Sequence, residues 1–438
     1  MYHRIIAIYH SLDEHLQEVV KGASIALVLK VLATGLAFSF NIVLARLLGA
    51  EGAGLYFLAL SITSIMAVVG RVGLDNTFVR FTASNVAIDD WEAVKGLYRQ
   101  GTRLALIASS IVAIVMFLAA PWLANSVFSK PVLTDLIRWM ALAIIPVVLF
   151  NTHAQLLKGL KRIRDHIIVL SIALPLFSLL GIIILIPFKG LEGAIWAYIL
   201  AASITAGLGI GLWRKNTSKM LNLKGQFDIS QLLQSCIPLF WVSLLRMVIN
   251  WTPVLMLGIW VSNAEVGIFS IANRTAMLVN FTLTAVNSIA APKFAALHQQ
   301  GNVKALAHIA QNSAKLMTLA ASPMLLLFLF APEWILALFG TQFIEGGLAL
   351  SILAMGQFIN VVTGSVSAVL VMSGYERLQR NILILCAFLC IVLNTVLIPN
   401  FGIIGAALAT AITLAAKNLV AAMVVWQRMG IRTLPKIM

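Results

Sequence analysis

Carboxylates are scarce in this chain: 16 Asp and Glu stand against 31 Lys and Arg, for a formal net charge of +15. Charge of either sign is rare, at 11% of the 438 residues. The three cysteines, Cys236, Cys386 and Cys390, lie in apolar stretches without metal spacing, which excludes a disulfide framework and leaves buried apolar thiols. The seven histidines show no metal-ligand spacing either. No G-x-x-x-x-G-K-[ST] loop occurs, so the chain does not itself hydrolyse ATP. No loop on the outer side exceeds about 15 residues, which leaves no room for an extramembrane catalytic region. Neither an enzymatic activity nor a cofactor is expected. Residues 1–21 are polar and mixed, without a small-residue cleavage site.

What is abundant is apolar surface. Hydrophobic residues make up 61% of the chain, and mean hydropathy is +0.97, far outside soluble values. Runs of about 20 apolar residues, each able to cross ~30 Å of hydrocarbon, recur from end to end. They predict an all-α polytopic membrane protein with twelve transmembrane helices, near 23–45, 55–79, 100–123, 134–157, 166–187, 191–213, 232–259, 264–291, 305–330, 346–372, 381–399 and 402–426. With both termini inside, three of the 31 cations (Arg46, Lys130 and Lys189) fall in outer loops and eight within spans. The other 20 lie in cytoplasmic segments and span ends, a positive-inside bias that sets the orientation and accounts for most of the net charge without nucleic acid. Ser11 and Glu14 fit a capping box for a short amphipathic helix on the inner surface, within a segment at 1–22.

The chain also repeats itself. Ala120-Pro121-Trp122 recurs as Ala331-Pro332-Glu333-Trp334, and Gly54-Leu55-Tyr56 as Gly267-Ile268-Phe269. The Gly159 turn recurs at Gly374, and Pro187 to Ala194 recurs as Pro399 to Ala406. The offsets stay within a few residues of 213, the value from Gly54 to Gly267. Two six-helix lobes, at 23–213 and 232–427, are therefore expected, joined by a cytoplasmic linker at 214–231 and followed by a tail at 428–438. Six is an even number, so the lobes share a direction and a pseudo-twofold axis along the membrane normal, with a cavity between them. Pro238 and Pro253 bracket Arg246, so the seventh span is the one expected to bend.

Six cations lie deep in predicted spans: Lys30, Arg71, Arg246, Arg274, Lys315 and Lys417. A charge at a bilayer centre costs about 2.5–3.5 kcal/mol on insertion scales, so such residues face a protein interior or a wet cavity. Arg103 can snorkel, and Arg138 has Asp135 three residues away. Arg71 has Asp75 one turn on, which makes a neutral pair within the span an alternative to a cavity role or to a coupling role for Asp75. Lys30, Arg246, Arg274 and Lys315 have no acidic partner in their own spans, and Lys417 reads either way. At the repeat offset Lys30 maps one turn from Arg246, so these two are expected to face each other across the axis. Arginine grips phosphate through a bidentate fork and lysine as a point charge, so the mixture suits a diphosphate or an acidic sugar. Asn41, Trp241, Asn250 and Asn280 are candidate sugar contacts, Trp241 by stacking on a ring; helix–helix hydrogen bonding is the alternative role of the asparagines.

The stretch from Ile42 to Tyr56 (IVLARLLGAEGAGLY) resembles the opening of bacterial polysaccharide transporters, the O-antigen-type flippases of the multidrug/oligosaccharidyl-lipid/polysaccharide superfamily. The turn at Lys158-Gly159-Leu160-Lys161-Arg162 and the Gly-x-x-Gly-Ala pattern from Gly190 to Ala194 are similar too. The resemblance implies a two-lobed flippase of the bacterial inner membrane. Its cargo would be an undecaprenyl-diphosphate-linked oligosaccharide, an O-antigen, capsule or exopolysaccharide unit, moved to the outer leaflet by alternating access. The implied partners are that polyprenyl-diphosphate-linked glycan, membrane lipids, and polymerase and chain-length proteins of the same pathway. Cation-coupled multidrug antiporters of the superfamily are the alternative; they depend on membrane carboxylates, and spans 1 and 7 here contain none.

Overall fold

The computed structural model describes residues 14–220, 223–431 and 433; the segment 1–13, with the Ser11 side of the expected capping box, lies outside them. Every regular element among the described residues is helical. In chain order these are α1 (Glu14–Arg71), α2 (Leu74–Ala87), α3 (Trp91–Trp122), α4 (Leu133–Gly159), α5 (Ile163–Ile167), α6 (Leu174–Asn216) and α7 (Ile229–Trp260). There follow α8 (Asn263–Ala276), α9 (Phe281–Gln299), α10 (Val303–Phe330), α11 (Pro332–Ala337), α12 (Gly347–Val362), α13 (Val366–Met372) and α14 (Glu376–Met429). Short π turns occupy Leu123–Val127 and Ile168–Ala173, and a 3-10 turn joins α8 to α9 at Met277–Asn280.

Among the described residues, nine helical stretches are long and apolar enough to cross a membrane, not the twelve expected. The difference lies at three glycines. Predicted spans 1 and 2 run together through Gly49, spans 5 and 6 through Gly190, and spans 11 and 12 through Gly402, each glycine with non-helical torsions. The stretches so formed are 47 to 54 residues long, and a straight helix of 47 would reach about 70 Å. They are not straight. A Cβ on Gly193 would meet the Leu185 carbonyl, and one on Gly405 the Leu397 carbonyl, although eight residues of straight helix span about 12 Å. In α1 the rings of Phe40 and Tyr56 lie 6.3 Å apart across the Gly49 bend. Each is a tight hairpin whose reversal needs a residue free to take positive φ. Gly190 (φ 54°, ψ −131°) and Gly402 (φ 53°, ψ −129°), equivalent in the sequence repeat, share one backbone conformation.

Two further departures from the expected spans bear on the site. The second span breaks at Val72 and Gly73, both at positive φ, and ends as the separate helix α2. A Cβ on Gly73 would press on the backbone at Cys236 and Phe240, so the break lets α7 approach closely. The seventh span, α7, passes Pro238 and Pro253 as one continuous helix. The eighth span interrupts its α-helix at Met277–Asn280, without a proline.

The two halves of the chain meet chiefly where α1 packs on α8 and α7. Tyr56, Phe57, Phe78, Phe269, Phe339 and Phe343 are fully buried in the one large core. Close approach rests on small residues, as is usual between helices in lipid.

Candidate functional site

The seal between the halves is built around Gly54 of α1 and Gly267 of α8. A side chain on Gly54 would strike the Asn263 carbonyl, and one on Gly267 the Ala50 carbonyl. Three hydrogen bonds surround this contact. Arg46 Nε donates to the Leu338 carbonyl (2.8 Å), the Ala50 N–H donates to Gln342 Oε1 (2.9 Å), and Lys130 Nζ donates to the Val261 carbonyl (3.0 Å). The Ala50 N–H is available because Gly49 interrupts the helix just before it. Burial pulls the Lys130 ammonium below its ordinary value, and the Glu265 charge offsets part of that. Phe38 and Phe339 add an edge-to-face contact at 5.5 Å.

Beyond this seal lies a cavity of about 380 Å³ between α1, the Ile168–Ala173 π turn, α8 and α9. Lys30, Thr34, Asn41, Ser171, Arg274, Asn280 and Thr284 are its polar lining. Both non-α turns contribute wall residues, Ser171 from the first and Met277, Leu278 and Asn280 from the second, in keeping with the frequent use of such irregular turns at functional sites. Four residues singled out from the sequence thus meet here: Lys30, Asn41, Arg274 and Asn280. The ion pairs among the described residues are Arg71–Asp75 and Arg138–Asp135, so neither Lys30 nor Arg274 is neutralised by a carboxylate within 4.0 Å. The Arg274 guanidinium instead stands 4.4 Å from the centre of the Phe57 ring and 5.7 Å from that of Trp251, within cation–π range of both. Asn41 donates Nδ2 to the Ala37 carbonyl, while its buried Oδ1 has no partner. Asn280 Oδ1 accepts from Asn360 Nδ2 at 2.9 Å, which orients it on the cavity wall.

A second cavity, of about 330 Å³, lies within the second half between α7, α8, α12 and α14, and Arg274 borders it as well. Asn250 lines this one. A third, of about 300 Å³ and almost wholly apolar, shares Thr34, Phe38, Leu278 and Phe281 with the first and continues between α1, α9 and α10 to Met324.

The remaining sequence candidates lie elsewhere. Arg71 closes an ion pair with Asp75 at 3.4 Å, with both side chains largely buried. Arg71 sits in the last turn of α1 and Asp75 in the first turn of α2, each at the helix end whose dipole favours its charge. The pair joins two helix ends and lies outside the three cavities. Arg246 and Trp241 are exposed on α7 and Lys315 is exposed on α10, all outside the cavities, and Lys417 has Arg246 as an electrostatic neighbour. The expected partner of Lys30, Arg246, lines none of the three cavities, whereas Arg274 shares the first cavity with Lys30. Phe57 and Ser171 carried no signal in the sequence, because aromatic and small polar residues are common in membrane helices.

An all-helical membrane body whose two halves close over a cation-lined cavity is that of a polytopic transporter. The chain belongs to the polysaccharide biosynthesis protein family, whose profile matches residues 43–346. It is similar to the probable low-salt glycan biosynthesis flippase Agl15 of Haloferax volcanii, at 24% identity over 88% of this chain and 79% of that protein. It also resembles the probable flippase AglR of the same organism, at 28% identity over 44% of this chain and 40% of that protein's length. In fold it is similar to a multidrug resistance MATE family transporter of the MOP superfamily in an inward-facing conformation (TM-score 0.75, 18% identity, 93% of this chain and 98% of that one). It is likewise similar to the lipid II flippase MurJ in an inward closed conformation (TM-score 0.74, 12% identity, 91% and 86%).

Proposed function

We propose that this protein is a flippase for a polyprenyl-diphosphate-linked oligosaccharide. It moves its cargo between leaflets of the cytoplasmic membrane by alternating access. The carrying observation is the cavity in which Lys30 and Arg274, from opposite halves of the chain, stand without a carboxylate partner. Two unneutralised cations at membrane depth suit a diphosphate, the lysine as a point charge and the arginine as a fork. The adjoining apolar cavity between α1, α9 and α10 suits the start of the polyprenyl chain. Similarity to two probable flippases and to MurJ favours the same class of cargo.

Counting each glycine hairpin as two crossings turns the nine helical stretches into twelve, six in each half. With the termini cytoplasmic, the Gly54–Gly267 seal lies on the outer side and the cavity belongs to an inward-facing state. The lobes are 23–213 and 232–427, and polymerase and chain-length proteins are the expected partners. A cation-coupled antiporter would need a free membrane carboxylate, whereas Asp75 is committed to Arg71.

The test is transfer in proteoliposomes. A polyprenyl-diphosphate-linked oligosaccharide is placed in one leaflet, and its arrival in the other is read by accessibility to an added glycosidase. The wild-type protein is expected to move it, and Arg274→Gln and Lys30→Gln to slow transfer at least about tenfold. No transfer by the wild type, or full rates in both variants, rejects the reading.

A further inference from the structure

The second cavity differs in chemistry from the first. Its polar wall residues include Asn250, Ser270, Asn273, Gln357 and Thr410, with Trp251 as its aromatic wall. No Asp, Glu or His lines it, and its one cation is Arg274, shared with the first cavity. Ser270 and Gln357 are 3% and 8% exposed, and Ser270 Oγ and Gln357 Oε1 are buried without a hydrogen-bond partner. An unmade hydrogen bond of this kind is expensive, so the wall is built for something polar.

The lining selects among possible occupants. A metal cation would find no carboxylate and would meet the Arg274 guanidinium. A second phosphate would face acceptor oxygens and amides with no further cation. Several waters would fit in about 330 Å³ and would satisfy hydroxyls and amides, but water brings no apolar face to lie on Trp251. A neutral polyhydroxylated ring meets each requirement. Its hydroxyls both donate to Gln357 Oε1 and accept from the amide groups of Asn250 and Asn273, and its C–H face can lie on Trp251.

We infer that this cavity is the subsite for the first sugar of the lipid-linked glycan, with Gln357 and Ser270 reading its hydroxyl groups. The inference rests on the proposed function, because it takes the diphosphate to sit on Lys30 and Arg274. Arg274 then stands at the junction, with phosphate on one side and the attached sugar on the other. The site demands a neutral hexose or N-acetylhexosamine at this position in preference to a uronic acid, since no second cation is present to receive a carboxylate.

Binding by the full-length protein in nanodiscs tests this. The probes are undecaprenyl diphosphate and the same lipid carrying one glucose, galactose, N-acetylglucosamine or glucuronic acid. The wild type is expected to bind at least one neutral glycosylated lipid about tenfold more tightly than the bare diphosphate, and the glucuronic acid lipid no more tightly. Gln357→Leu and Ser270→Ala are each expected to remove most of that gain while leaving bare-lipid affinity unchanged, which also shows that the variants are folded. Equal binding of bare and glycosylated lipids by the wild type, or an undiminished gain in both variants, overturns the sugar subsite alone. Failure of the wild type to bind any of these lipids overturns the flippase reading beneath it.

Discussion

Gly54 and Gly267, 213 positions apart and equivalent in the internal repeat, pack backbone against backbone where the two halves of the chain cross. A Cβ on Gly54 would stand 3.0 Å from the Gly267 nitrogen, and one on Gly267 2.9 Å from the Gly54 nitrogen. Each glycine thus packs against the backbone of the other. The contact holds one end of the cavity shut.

Alanine at either glycine must therefore separate α1 from α8, since the obstructing atoms are backbone. Overpacking of this kind costs about 1–3 kcal/mol, more than the gain in helix propensity from Gly to Ala. Gly54→Ala and Gly267→Ala should each lower the thermal unfolding midpoint of the purified protein. Gly211→Ala is the control: nothing lies within 4 Å of its added methyl, and it should hold or raise the midpoint.

The Gln342 side chain answers the Ala50 N–H that the Gly49 bend leaves free. Gln342→Ala strips that donor of its partner only while the seal is closed, at a cost of about 1–3 kcal/mol. The population should move toward opening at this end. Spin labels at Phe188 and Trp334, both more than 80% exposed, would report it as a longer mean distance than in the Gln342 parent. An unchanged distance distribution would count against the latch.

Lys30 and Arg274 line one cavity, so their contributions to diphosphate binding should be coupled. Each single change to Gln is expected to weaken undecaprenyl diphosphate binding by about ten- to a hundredfold, the range for hydrogen bonds to charged groups. The double variant should lose less than the product of the two, because the ligand is already displaced in either single variant. Lys315→Gln, on an exposed face of α10, should change affinity by less than about twofold.

Asp75 behaves in this structure as a structural anion. Asp75→Asn leaves the Arg71 charge unpaired in a largely buried position, and a loss of about 2 kcal/mol or more in stability is expected. Arg71→Gln/Asp75→Asn should recover most of that loss and retain glycan transfer. Abolished transfer in a well-folded double variant would restore a coupling role for Asp75.

The sequence carried much of this protein openly. Apolar runs of bilayer length require a helical membrane body. The Pro-x-x-Gly hairpins at Gly190 and Gly402 were visible as repeated letters, and their torsions agree to within a few degrees. Depth was legible too, because hydrophobic registers are linear: Lys30, Asn41, Arg274 and Asn280 could all be placed well inside spans. The helix interruptions at Val72–Gly73, Ile168–Ala173 and Met277–Asn280 were not, since nothing local demands them.

Rotation about each helix axis was beyond the sequence. Lys30 and Arg246 nearly correspond in the repeat, yet a helix in lipid is apolar nearly all round, so no amphipathic stripe says which face turns inward. That choice belongs to close contacts such as Gly54 on Gly267 and Gly73 on α7, which exist only once the helices are packed. The sign of the charge at membrane depth was determined by the amino-acid sequence alone. Which cations share a cavity, Lys30 with Arg274, and which is held by a carboxylate, Arg71 by Asp75, was decided by the tertiary structure, because packing sets the rotation that turns a side chain into a cavity or away from it.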